Sequence, residues 1–79
     1  MDESALRRCF AAVFPDLPED EIERAEVGRV AAWDSLAALT LAAVLEEEFE
    51  LEIDELELPE LRSYAAVREY LQGNGRLPA

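Results

Sequence analysis

A chain of 79 residues with 19 acids, 7 basic residues and a net charge of −12 reads as one small acidic domain, and its field repels phosphate backbones and anionic lipid, so nucleic acid and membrane surfaces are poor partners. The absence of His and the single Cys remove a Ser–His–Asp arrangement, a His-ligated metal, a disulfide and a thiolate zinc site. An apolar fraction of 51% argues against disorder, and no apolar run reaches the ~18 residues of a membrane span.

Asp2 and Glu3 follow Met1 where a cationic leader segment would begin, so a cytoplasmic protein is expected. The first predicted element is an amphipathic helix over residues 3–14, its inner face marked by Leu6, Cys9, Phe10, Val13 and Phe14 at spacings of three and four. Cys9 lies on that apolar face and reads as a buried structural thiol rather than a nucleophile. Pro15 and Pro18 end the helix. Residues 15–33 form a long connection, with room for a short helical turn starting at Pro18. Gly28 interrupts it, and Val27 and Val30 are expected to pin it to the core. A connection this long in a small domain often carries a role.

A second helix is predicted from Ser35 to about Glu48, with Asp34 as its N-cap. The segment "ELEIDELELPEL" alternates apolar and acidic residues like a strand, but nothing else in the chain alternates to pair with it and Pro59 opposes a regular ladder. It is expected to be a loop with one short helical turn. The last helix starts after Ser63 and runs to about Gln72, with Tyr64, Val67, Tyr70 and Leu71 inward and Gly73 as its C-cap. "GNGRLPA" follows as a loose tail, or equally as the stub of a linker, whereas Met1 favours a free-standing chain. The predicted fold is an all-α small bundle of three main helices plus one short helix.

The central helix carries more apolar residues than one buried face needs. At about 100° per residue with Leu36 at zero, Leu41, Leu45 and Phe49 fall at roughly 140°, 180° and 220°, with Ala38 and Ala42 beside them. That is a core stripe. Leu39 and Ala43 fall near 300° and 340°, next to Leu36, as a second stripe almost opposite. Either the 15–33 connection covers this second stripe or it is a docking surface. Glu46 and Glu47 flank it, and acids at a helix C-terminus each cost about 0.3–1 kcal/mol against the macrodipole. A basic and apolar partner would account for that cost; a solvated run of charge is the alternative.

Ser35 stands at the first turn of this helix, where free N–H groups and the positive end of the dipole favour a phosphate. No His or Lys exists to activate it as a nucleophile, so any chemistry on its hydroxyl must come from another enzyme. From its surroundings alone, a plain first-turn serine and a modified one are equally compatible.

The stretch "DSLAALTLAAVLEEEFELEI" resembles the attachment region of acyl carrier proteins: Asp34-Ser35-Leu36 opens the second helix, and Leu45-Glu46-Glu47-Glu48-Phe49 matches the family's glutamate run. "IDELELPELRSYAAVREYL" is similar to the family's short third and Ala-Ala-containing fourth helices. The resemblance covers residues 3–72. It implies a carrier domain over residues 1–72 with a flexible tail over 73–79. It further implies that Ser35 is esterified by the 4′-phosphopantetheine of coenzyme A, installed by a Mg²⁺-dependent phosphopantetheinyl transferase, and that acyl groups ride on the arm as thioesters.

By the same resemblance Asp34 caps the helix and aids modification, and Leu36, Leu39, Ala43, Glu46 and Glu47 contact acyl-loading and acyl-using enzymes with basic and apolar docking patches. A monomeric, non-enzymatic carrier with no metal of its own is expected. Fatty-acid carriers usually place acids early in this helix; the neutral Ala37, Ala38 and Thr40 point instead to a specialised pathway, as does Trp33, which resembles that of stand-alone carriers in secondary-metabolite or surface-polymer synthesis. Trp33 is expected either to pack on the connection or to line the arm. Pro59 predicts a shortened or displaced third helix. The alternatives are an aminoacyl or peptidyl carrier, against which Trp33 and the charge speak, and an unmodified acidic helical adaptor.

Overall fold

The computed structural model describes residues 3–78; Met1, Asp2 and Ala79, the outermost residues of the expected domain and tail, lie outside the described residues. Three α-helices, α1 (Glu3–Val13), α2 (Ser35–Phe49) and α3 (Tyr64–Gly73), and two 3₁₀ segments, Glu19–Arg24 and Leu58–Glu60, form a small all-α bundle. Among the described residues the only β pairing is two isolated bridges, and no helix is long and apolar enough to cross a membrane.

One continuous core joins the elements. α1 contributes Ala5, Leu6, Cys9 and Phe10, α2 contributes Leu41, Leu45 and Phe49, and α3 contributes Tyr64, Val67 and Leu71. Phe10 is the hub: its ring meets Tyr64 at 5.1 Å and Trp33 at 5.6 Å, both edge-on. Such aromatic pairs each add about 0.5–1.5 kcal/mol beyond their buried area. The Tyr64 hydroxyl donates to Glu3 Oε2 at 2.7 Å, tying the start of α3 to the start of α1.

The connection from Pro15 to Trp33 is held differently from expectation. Val27 is exposed, while Val30 is half-buried and packs against the core. Ile22, Ala25 and Trp33 supply the fully buried side chains. What Val27 contributes is its backbone: its N–H donates to the Arg62 carbonyl at 2.8 Å, while the Tyr64 N–H donates to the Ala25 carbonyl at 2.9 Å. These two bonds make the antiparallel Glu26–Ser63 bridge and stitch the connection to the entry of α3. Val30 packs against the core as expected; main-chain pairing leaves no signature in side-chain periodicity, which is why Val27 misled. Gly28 turns the connection with φ of 94°, a left-handed conformation that glycine adopts without steric cost.

The C-terminal end also differs. Gly73 is the last residue of α3, and Gly75, at φ of 72°, makes the left-handed turn. The Arg76 N–H then returns to the Leu71 carbonyl at 2.8 Å and the Gly75 N–H to Gln72 at 3.1 Å, a Schellman arrangement. The tail, expected to be loose, folds back along the bundle. Leu77 is buried in the core, and an Arg76 guanidinium nitrogen donates to the Glu50 carbonyl at 3.0 Å. The turn at Gly75 is what brings Leu77 back to apolar surface.

The first turn of α2 and its two faces

Asp34 and Ser63 cap their helices in the same way. Each has extended backbone, and each side-chain oxygen accepts the N–H three residues on: Ala37 to Asp34 Oδ1 at 2.8 Å, Ala66 to Ser63 Oγ at 3.0 Å. The Asp34 cap fixes Ser35 as the first helical residue. Ser35 is exposed, and its hydroxyl makes no hydrogen bond within the described residues. The N–H groups of Ser35 and Leu36, in the first turn, have no intrahelical acceptor to reach.

Trp33 takes the packing role and also borders the site. It is 4% exposed and packs on Phe14 at 5.3 Å as well as on Phe10. It also forms one wall of a groove of about 420 Å³ that contains Ser35, Asp34, Ala38, Leu58, Pro59 and Arg62. The indole Nε1–H of Trp33 is buried without a hydrogen-bond partner, an uncommon state for a buried donor. The shortened helical turn predicted from Pro59 is the three-residue segment Leu58–Glu60, and it forms the far side of this groove. Leu58 and Arg62 were not found from the sequence, because only the fold brings them beside Ser35.

The second stripe of α2 is uncovered. Leu36 is 72% and Leu39 57% exposed, Ala43 and Glu47 are exposed, and Ala38 is half-buried. The connection therefore runs elsewhere and leaves the stripe open. Leu41, Ala42, Leu45 and Phe49 form the buried side as predicted. On the same angular scale Ser35 falls at roughly 260°, between Ala38 near 200° on the groove side and Leu39 near 300° on the open side. Leu56, 85% exposed, is a further apolar side chain at the surface that the alternating pattern concealed.

The glutamates at the end of α2 do not act alike. Glu46 is half-buried, and its Oε2 accepts the Ile53 N–H at 2.9 Å, while its carbonyl accepts from Glu50 and Leu51. It thus shapes the exit of the chain from the helix, where Glu50 takes a left-handed φ of 53°, a conformation that costs a non-glycine residue roughly 1–2 kcal/mol. Glu48 lies 3.9 Å from Arg8 of α1, and Arg76 meets the Glu50 carbonyl at the negative end of the helix. Local partners thus offset part of the dipole cost that the sequence attributes to a basic partner. Glu47 is the one glutamate of the three with neither an ion pair nor a side-chain hydrogen bond among the described residues.

Cys9 is 3% exposed. Burial first, and the nearby Glu48 carboxylate second, push its thiol up to about 11, so it stays neutral and unreactive at ordinary pH. A second pocket, of about 370 Å³, lies between the end of α1 and the connection and contains Phe14, Leu17, Arg24 and Arg29; none of the residues singled out on α2 borders it. Comparison with models of known protein families, with curated proteins and with solved structures gave no match to this chain.

Proposed function

We propose that this chain is an acyl carrier of a specialised pathway, with Ser35 as the attachment point of a 4′-phosphopantetheine arm. The observation that carries the reading is the position of Ser35: an exposed, unpartnered hydroxyl at the capped first turn of α2, between a groove and an uncovered apolar stripe. The donor set fits the group, since the first-turn N–H groups and the helix dipole favour the phosphate of a phosphodiester, and the adjoining groove offers the apolar walls of Trp33, Ala38, Leu58 and Pro59. When attached, the arm supplies a terminal thiol that carries acyl groups as thioesters.

The protein's own part is placement and recognition. Asp34 holds the first turn so that the Ser35 oxygen stays exposed to a transferase. In the attachment step that oxygen bonds to the pantetheine-linked phosphorus of coenzyme A. The bond from that phosphorus to the 3′-phosphoadenosine 5′-phosphate leaving group breaks, and the hydroxyl proton passes to a base of the transferase, because this chain has no His or Lys to take it. Leu36, Leu39 and Ala43 then offer apolar contact to partner enzymes, with Glu47 as the acid free to meet a basic patch. Glu46 contributes by shaping the end of the same helix. The charge of −12 steers the carrier toward basic docking sites.

The test is attachment itself: incubation with coenzyme A, Mg²⁺ and a broad-specificity phosphopantetheinyl transferase, followed by intact mass. A gain of one phosphopantetheine supports the carrier reading. No gain favours the unmodified adaptor, which would use the same Leu36/Leu39 stripe without an arm.

A further inference from the structure

Three arginines, Arg24, Arg29 and Arg62, form no ion pair or side-chain hydrogen bond among the described residues. Arg24 and Arg29 border the pocket at the end of α1, where Asp16 and Glu21 also lie. Arg62 borders the groove beside Ser35, and the only other charged residue there is Asp34, whose carboxylate is already engaged by the Ala37 N–H. The base of Arg62 is fixed. Its carbonyl accepts the Val27 N–H at 2.8 Å, and the next residue, Ser63, bridges to Glu26. The fold thus holds a single uncommitted cation at the groove that contains the attachment serine.

We propose that Arg62 pairs with the phosphodiester on Ser35 and holds the resting arm in the groove, off the Leu36/Leu39 stripe; this rests on the carrier reading. A phosphodiester at Ser35 places a further negative charge beside Asp34 in a chain already at −12. The helix N-terminus offsets part of that repulsion. A guanidinium offsets more, because its planar fork donates two parallel hydrogen bonds to phosphate oxygens. The remaining walls, Trp33, Ala38, Leu58 and Pro59, suit the apolar carbons of the arm. Ser35 lies angularly between the groove and the open stripe, so rotation about its side chain exchanges a stored arm for one delivered to a docked partner. Arg62 is the positioning residue for the stored state.

The test uses the full chain, labelled with ¹⁵N, before and after attachment, with intact mass recorded first. In the wild type, attachment is expected to shift the Arg62 Nε–H and Trp33 Nε1–H resonances. High salt should return the Arg62 signal toward its unmodified position by screening the pair. Arg62→Gln should reach full modification with an unchanged thermal melt, while its ³¹P resonance moves to that of the arm on urea-unfolded protein. Arg62→Lys should retain part of the wild-type ³¹P shift. Full modification with no change at Arg62, or a ³¹P resonance identical in wild type and Arg62→Gln, overturns the proposal and leaves the carrier reading standing. Absence of any mass gain overturns both, and is read separately.

Discussion

The carboxylate of Asp34 accepts the Ala37 N–H at 2.8 Å, and that bond sets the register in which Ser35 begins α2. Asp34→Ala is expected to lower stability by about 1 kcal/mol, the usual cost of losing an N-cap. For a domain of this size that corresponds to roughly 4–8 °C in Tm, measurable by circular dichroism. Asp34→Ser should restore most of it, because a hydroxyl accepts the same N–H. Failure of the serine variant to recover would mean that Asp34 stabilises by charge rather than by capping.

The two faces of α2 predict opposite outcomes for two leucines six residues apart in the chain. Leu39→Asp, on the open face, should change stability by no more than about 0.5 kcal/mol while weakening modification or acyl transfer. Leu45→Ala, fully buried, should cost about 2–5 kcal/mol. Urea denaturation separates the two. A Leu39→Asp protein that loses helicity would place Leu39 in the core.

The folded-back tail gives a third prediction. Ending the chain at Gly75 removes buried Leu77 and the Arg76 bond to the Glu50 carbonyl. Burying a leucine contributes about 1.5–3 kcal/mol, so the truncated chain should unfold at clearly lower urea. Leu77→Ala alone should reproduce most of the loss, and Arg76→Ala less.

Alkaline pH should destabilise the fold through two buried acids. The Cys9 thiol is raised from 9.0 to about 11. Burial, and then its bond to Glu3, also hold the Tyr64 hydroxyl above the ordinary tyrosine range. Both groups stay protonated in the folded state while the unfolded chain releases its protons, so their contribution is complete below pH 9 and falls as pH rises above it. The urea midpoint should therefore drop from about pH 9 upward, less steeply in Cys9→Ala up to about pH 11. Iodoacetamide at pH 8 should label Cys9 only after unfolding.

The parts legible in the sequence are those governed by local rules. Both N-caps, Asp34 and Ser63, followed from residue type and position, and the core stripe of α2 followed from helical angle alone. The open stripe was visible as a conflict, two apolar faces on one helix, and the fold resolved it. Pro59 correctly announced a short turn. The failures share a cause. Val27 is anchored by its main chain, which no side-chain pattern records. Gly73 and Gly75 are both plausible helix stops, and only the return of Leu77 to the core selects the second. Arg62 lines the same groove as Ser35 because its backbone pairs with Val27, far away in sequence, so the groove had no local signature, and Glu46 carries a structural bond that its place in a run of glutamates hid.

The central claim is that Ser35 carries the arm, and the most direct measurement is to locate the modification. After incubation with coenzyme A, Mg²⁺ and a phosphopantetheinyl transferase, trypsin should release the peptide from Val30 to Arg62, which contains Ser35 and Thr40 as its only hydroxyl side chains. Fragment masses should place one phosphopantetheine on Ser35, and Ser35→Ala should show none. An unmodified peptide, or a modification that persists in Ser35→Ala, contradicts the account.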